Sequence, residues 1–278
     1  MRNKIQIVVP VLLIGSFAFL YRGITAGLVR DWAADPNYSH GFLIVPLALF
    51  FAWERRQELA SAESRGSLLG LPLILGSLTI LIAGVLGSEF FLTRVSMLGV
   101  AAGILLFVWG RQHLQILAFP VLFLLLMIPL PALIFNQIAF PLQMLASRFG
   151  EVALILCRVP VVRAGNVIHL THASLEVAEA CSGIRSLISL LTLGIVYGYF
   201  FEPRAWGRTA LALSALPIAI AANGLRVAGT GMAAQYWGAE AAQGFFHAFS
   251  GWLIFLAALI MLFAVHRALL RVQPRKTG

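Results

Sequence analysis

Leu68 to Gly87 reads LLGLPLILGSLTILIAGVLG, a run of 20 residues without a charged side chain. A helix needs about 17 to 25 predominantly apolar residues to cross the hydrocarbon of a bilayer, so this run predicts a transmembrane helix. The whole chain of 278 residues is 60% apolar and only 11% charged. Because that composition supplies too little polar surface for a soluble protein, we predict a polytopic membrane protein.

Runs of this kind recur along the whole chain and predict about eight spans. The predicted spans are Ile5 to Tyr21, Tyr38 to Trp53, Leu68 to Gly87, Val95 to Trp109, Leu114 to Leu130, Ile184 to Phe200, Thr209 to Leu225 and Phe249 to Val265. We therefore expect an all-α polytopic bundle of about eight transmembrane helices. It should form one integral membrane domain over residues 1–278, with no fused soluble domain.

The formal net charge of +9 reflects basic residues that lie between the spans. They do not form a stripe with interleaved aromatic residues, so no nucleic-acid partner is predicted. The basic segments precede the first span and follow the second, fourth, sixth and eighth. Under the positive-inside rule these segments are cytoplasmic, which places both termini in the cytoplasm.

The longest segment outside the predicted spans is an outer insertion at about residues 131–180. Its first half mixes Asn136, Gln137 and Arg148 with apolar residues, which predicts an amphipathic helix lying at the membrane interface. Its second half, VPVVRAGNVIHLTHASLEVAEA, alternates polar and apolar residues around Gly165-Asn166. That alternation predicts a small extracytoplasmic β-hairpin.

Cys181 stands in Glu179-Ala180-Cys181-Ser182-Gly183-Ile184-Arg185, at the predicted outer start of the sixth span. Unpaired N–H groups at a helix start favour a thiolate, and a nearby arginine adds positive potential. Arg185 could supply that potential. A buried membrane cysteine without reactivity is the alternative for the residue taken alone.

Two further residues that could do chemistry are predicted at the same membrane level. Arg226 ends the seventh span in Ala222-Asn223-Gly224-Leu225-Arg226, where a cation costs about 2.5 to 3.5 kcal/mol unless it is paired or hydrated. It would either donate to an oxyanion or carboxylate or extend to the outer surface. His247, at the start of the eighth span, would be a general acid and base or a packing residue.

Other polar residues leave alternatives open. His169 and His172 precede Glu179 and Cys181, but residues three apart in a strand point to opposite faces, so we predict no metal site and no cofactor. Glu179 could orient His247 or pair with Arg185. His40 and Tyr38 could line a substrate entrance or anchor the second span. A disulfide between Cys157 and Cys181 would block the chemistry of Cys181.

The chain resembles the exosortase family of bacterial membrane cysteine transpeptidases. The resemblance rests on VAEACSGIRSL around Cys181, AANGLRV around Arg226 and FFHAFSGW around His247. DPNYSHGFLIVP and VPVVRAGNVIHL also resemble segments of that family. The resemblance implies that Cys181 is the nucleophile, Arg226 the transition-state stabiliser and His247 the acid/base partner. It implies an enzyme of the bacterial inner membrane whose active site faces the periplasm.

The implied partners are proteins with a C-terminal PEP-CTERM sorting signal, which has a Pro-Glu-Pro motif, an apolar span and a basic tail. The enzyme would cleave this signal through a Cys181 thioester and transfer the protein to an acceptor in the envelope, of polysaccharide or lipid-linked type. One alternative is a non-enzymatic membrane subunit of polysaccharide export or assembly. A thiol acyltransferase acting on lipid is another.

Overall fold

The computed structural model describes residues 2–171, 174–177, 183–238 and 245–272, with side chains for all of these except residues 2–7, 245–250 and 272. It is 80% helical and contains a small three-stranded sheet, which confirms the predicted all-α class with a β insertion. The chain forms two compact units, Met1–Ala132 and Leu133–Gly278.

The first unit consists of six helices and a short 3-10 turn. They are α1 (Arg2–Ala34), α2 (Gly41–Glu54), α3 (Arg56–Ser61), α4 (Gly70–Leu86), α5 (Phe90–Val108), α6 (Arg111–Phe123) and the 3-10 turn Leu124–Met127. Among its described residues, the second unit holds four helices and the sheet. They are α7 (Ala132–Leu156), β1 (Val161–Ala164), β2 (Val167–Leu170), β3 (Ser174–Glu176), α8 (Ile184–Phe201), α9 (Ala205–Trp237) and α10 (Phe245–Val272).

All eight predicted spans coincide with helical segments. Among the described residues, six helices are long and apolar enough to cross a membrane, namely α1, α5, α7, α8, α9 and α10. The helices α2, α4 and α6 are shorter but also apolar. The chain is therefore a membrane protein with multiple helices.

Two helices continue far beyond the apolar runs that predict them. The helix α1 ends at Ala34 rather than near Tyr21, and α9 ends at Trp237 rather than near Leu225. A helix satisfies its backbone hydrogen bonds internally whether or not its side chains are apolar, so loss of hydropathy does not end it. A turn at Asp35-Pro36-Asn37 follows α1, and the Asn37 N–H donates to Asp35 Oδ1 over 2.8 Å.

Glycines let α4 and α5 pack closely in the first unit. A Cβ added at Gly70 would lie 2.5 Å from the Phe107 nitrogen, and one at Gly103 would lie 2.6 Å from Ile74 Cγ1. No larger residue fits these positions without a shift. Small residues therefore serve here as they do in other membrane helix pairs, where they allow the backbones to approach.

The outer insertion contains the predicted hairpin and one additional strand. Strands β1 and β2 pair antiparallel through the turn at Gly165-Asn166, and Gly165 has a positive φ of 64°. β3 adds to the other edge of β2 with Ile168 opposite Leu175. An ion pair of 2.8 Å from Arg163 Nε to Glu151 joins β1 to α7. The helix in the first half of the insertion is confirmed, and its placement at the interface stays a prediction.

The helices α8 and α9 pack antiparallel, and glycines of α8 set their register. A Cβ at Gly198 would lie 3.4 Å from the Arg208 Cα, and one at Gly194 would lie 3.2 Å from the Leu211 carbonyl oxygen. Leu190 and Leu211 form a buried core with residues of α10 such as Leu262. The start of α8 therefore lies beside the C-terminal half of α9.

Candidate active site

The segment that contains the candidate nucleophile lies directly before α8. Cys181 and Glu179 fall outside the described residues, and the description resumes at Gly183, which precedes the first residue of α8, Ile184. Gly183 has a left-handed backbone with a φ of 78°. A residue with a side chain would be strained in this conformation, so a glycine is favoured here.

Gly183 lies against Asn223 of α9. A Cβ added at Gly183 would be 2.9 Å from Asn223 Cγ and 3.0 Å from both Asn223 Cβ and Nδ2. Asn223 is buried, with 4% of its surface exposed. The space beside this contact is walled by Leu142, Leu187 and Ala219, and is too small to hold a water molecule. The chain just after Cys181 is therefore fixed against one side chain of α9.

The residue after Asn223 fixes the position of α9 against α7. A Cβ at Gly224 would lie 2.3 Å from Phe149 Cδ1 and 2.7 Å from Phe149 Cβ. One turn further on, Val227 packs in a buried cluster with Ala146 and Leu154 of α7. The sequence Ala-Asn-Gly-Leu-Arg thus includes one residue that contacts the start of α8 and one that leaves room for α7.

Arg226 reaches towards α10 from the same turn of α9. A Cβ added at Gly251 would lie 3.6 Å from Arg226 Nη2 and 3.8 Å from its Cζ, which is ordinary van der Waals contact. Position 247 precedes Gly251 by four residues within α10, so the two positions lie one turn apart on one side of the helix. Side chains of residues 245–250 are outside the description.

One turn of α9 therefore contacts two of the other segments that sequence reasoning selected. Asn223 touches Gly183, two residues after Cys181, and Arg226 approaches Gly251, four residues after His247. An amide and a guanidinium at one place supply several N–H donors. Such an arrangement can bind a carboxylate or a developing oxyanion. Arg185 lies in the first turn of α8, and its side chain is exposed.

The remaining candidates lie elsewhere or stay open. His40 Nε2 is 3.0 Å from the Leu126 carbonyl oxygen within the first unit, and this contact fits the interpretation in which His40 anchors the second span. Tyr38 lies in the preceding turn. His169 Nδ1 is 2.9 Å from Ser174 Oγ across β2 and β3. Within the described ranges no three His, Cys, Asp or Glu residues are grouped as metal ligands.

Whether Cys157 pairs with Cys181 stays an open alternative, because Cys181 is outside the described residues. The Cys157 side chain is exposed.

Sequence reasoning missed the glycines that hold this region together. The sequence patterns predicted no role for Gly224 or Gly251. The available signal was the presence of glycines inside apolar helical runs. Glycine is a poor helix former, so its presence there indicates a purpose other than helix stability. Which of several reasons applies depends on contacts between helices far apart in sequence.

Comparison with known proteins identifies the family. A family model of transmembrane exosortases matches residues 32–264, a range that contains Cys181, Arg226 and His247. No curated protein and no solved structure matches the chain significantly. Because the family model covers most of the 278 residues, the chain belongs to the transmembrane exosortase family.

Proposed function

We propose that the protein is a membrane cysteine transpeptidase that cleaves C-terminal Pro-Glu-Pro (PEP-CTERM) sorting signals. Cys181 is the nucleophile, Arg226 stabilises the oxyanion, and His247 is the general acid and base. Glu179, Arg185 and Asn223 support these three residues. No cofactor or metal is needed, because a thiolate, a proton carrier and a fixed cation are sufficient for acyl transfer.

A single observation carries the proposal: the turn Asn223 to Arg226 lies beside both Gly183 and Gly251. Gly183 follows Cys181 by two residues, and Gly251 follows His247 by one helical turn. This arrangement supports a short distance between the segments that contain Cys181, Arg226 and His247. Family membership supports the same assignment, because the matched range includes all three residues.

The first half-reaction forms a thioester. The Cys181 thiolate attacks the carbonyl carbon of the scissile peptide, and a carbon–sulfur bond forms. The electron pair of the carbonyl moves to its oxygen, where the Arg226 guanidinium donates hydrogen bonds. The carbon–nitrogen bond then breaks while protonated His247 donates its proton to the leaving amine.

The second half-reaction releases the protein onto its acceptor. A nucleophile of the acceptor attacks the thioester carbon and gives its proton to the now neutral His247. The carbon–sulfur bond breaks and Cys181 leaves as a thiolate, so the enzyme returns to its starting protonation state. An acceptor of polysaccharide or lipid-linked type makes the enzyme a transpeptidase, and water makes it a protease.

This chemistry sets the location of the protein. Exported substrates retained by an apolar span would be cut outside that span, so the active site faces the periplasm and the enzyme lies in the bacterial inner membrane. The basic segments between the spans place both termini in the cytoplasm.

The test is to express the full chain with a tagged substrate that carries the sorting signal, and to compare Cys181→Ala, Cys181→Ser and Cys157→Ser. We expect both Cys181 variants to lose processing and Cys157→Ser, which changes the other cysteine at an exposed position, to keep it. Processing by Cys181→Ala at the wild-type rate would refute the proposal. A transport subunit should tolerate Cys181→Ser, and a lipid acyltransferase should form its thioester without any sorting-signal protein.

A further inference from the structure

A cavity of about 340 Å³ lies in the first unit between α1 and α5. The cavity is not lined by Cys181, Arg226 or His247, all of which lie in the second unit. Its size falls in the range of small-molecule sites, about 300 to 1,000 Å³. Its walls include Gly23, Gly27, Arg30 and Asp31 of α1, and Phe90 and Arg94 of α5.

The charges in this cavity do not cancel. Arg94 is almost fully buried, with 7% of its side chain exposed, and its guanidinium forms an ion pair with the Asp31 carboxylate. Arg30 also lines the cavity, and it makes no ion pair with any of the described residues. The lining therefore has two cations and one anion. A ligand that completes the balance carries one negative charge.

Two glycines hold the cavity open. A Cβ added at Gly23 or Gly27 would meet nothing within 4 Å. They differ from Gly70 and Gly103, where an added Cβ would lie within 3 Å of the neighbouring helix. Because neither glycine carries a side chain, the space beside this stretch of α1 stays open to a ligand.

The cavity has a charged end and a glycine-lined end along α1. Arg30 and Asp31 lie in the last turns of the apolar helix that ends at Ala34, and Phe90 begins the apolar helix that contains Arg94. Seven residues separate Gly23 from Arg30, which is about 10 Å along a helix. The cavity therefore lies beside a helix that is apolar enough to cross a membrane, and its charged end is near the end of that helix.

We infer that this cavity binds an anionic membrane lipid. The phosphate group accepts hydrogen bonds from Arg30 and Arg94, and an acyl chain lies along Gly23 and Gly27. The inference is independent of the proposed peptidase activity, because it concerns only α1 and α5. Binding neutralises the excess cation, and it fixes α1 to α5 at their charged ends.

The test uses the full chain purified in a neutral detergent, with lipid binding measured by native mass spectrometry. The probes are phosphatidylglycerol, which has net charge −1, and phosphatidylcholine, which is zwitterionic. The main variant is Gly27→Leu, which fills the glycine-lined end. Its matched control is Gly15→Leu, a substitution in the same helix at another glycine whose added Cβ also meets nothing within 4 Å. Arg30→Gln, at an exposed position, tests the charge if Gly27→Leu does not fold.

We expect phosphatidylglycerol to bind more tightly than phosphatidylcholine, and Gly15→Leu to bind like wild type. Gly27→Leu should lose most of this binding, and Arg30→Gln should weaken it about tenfold, as expected for one hydrogen bond to a charged group. Equal binding of the two lipids, or equal binding by the two leucine variants, would overturn the inference. Competition by inorganic phosphate at millimolar concentration would also overturn it, since the site would then be one for free anions.

Discussion

Gly183→Ala tests whether the contact between Gly183 and Asn223 positions the active site. The substitution has two costs. A left-handed backbone costs a residue with a side chain about 1 to 2 kcal/mol. The new Cβ would also lie 2.9 Å from Asn223 Cγ, well inside the ordinary carbon–carbon separation of about 3.5 to 4.0 Å. The segment after Cys181 and Asn223 must therefore move apart by roughly 0.5 to 1 Å.

A matched control separates these two costs. Gly165 also has a positive φ, 64°, but a Cβ added there meets nothing within 4 Å. Gly165→Ala should therefore lose only the backbone cost of about 1 to 2 kcal/mol. Gly183→Ala should lose that amount and a further 1 to 3 kcal/mol, approximately, from overpacking. Thermal unfolding in detergent measures the difference in stability.

Activity should separate the two variants more strongly than stability does. Misplacing a catalytic group by about 1 Å can cost about 100-fold in rate, so we expect a loss of this order for Gly183→Ala. Gly165→Ala should process the substrate nearly as wild type does. The assay measures cleavage of a tagged sorting-signal substrate in membranes, normalised to the amount of enzyme. Similar rates for the two variants would show that the Gly183 contact does not position the reaction.

Three further tests concern the neighbouring contacts. Arg226→Lys should insert normally, because arginine and lysine cost about the same in a membrane. Its rate should fall about 100-fold or more, because lysine lacks the donor geometry of the guanidinium. A rate near wild type would contradict the oxyanion role of Arg226. Gly251→Ala should be tolerated, because its Cβ would lie 3.6 Å from Arg226 Nη2, whereas Gly251→Leu should displace the guanidinium and reduce processing without a matching loss of expression. Gly224→Ala should lower the unfolding temperature, because the new Cβ would lie 2.3 Å from Phe149 Cδ1. Adding Phe149→Ala should partly restore the unfolding temperature. Additive effects of the two changes would refute this contact.

The helices could be predicted from the sequence because hydropathy is a local property. Leu68 to Gly87 identifies a span by itself, and the structure has a helix at Gly70–Leu86. The ends of the helices were harder to predict. The helix α9, for example, continues to Trp237 rather than ending near Leu225. Hydropathy indicates where a helix leaves the hydrocarbon, whereas the helix itself ends where the backbone stops making its internal hydrogen bonds.

The site could be predicted only as a set of residue types at one level of the membrane. The sequence selects Arg226 because a cation is costly near hydrocarbon, but it does not show which helix the guanidinium approaches. That depends on the register of α9 against its neighbours, to which glycines such as Gly183 and Gly198 contribute. A glycine looks the same in sequence whether it serves a turn, a close contact or an open space.

The central claim is that Cys181 forms a thioester with the cleaved substrate. Its most direct test is to incubate the enzyme with a tagged sorting-signal protein, quench in acid, and analyse the peptide that carries Cys181 by mass spectrometry. We predict a substrate acyl group on Cys181 that hydroxylamine removes, with none on Cys157. Full processing of the substrate with Cys181 unmodified throughout the reaction, and unchanged processing by Cys181→Ala, would contradict the account.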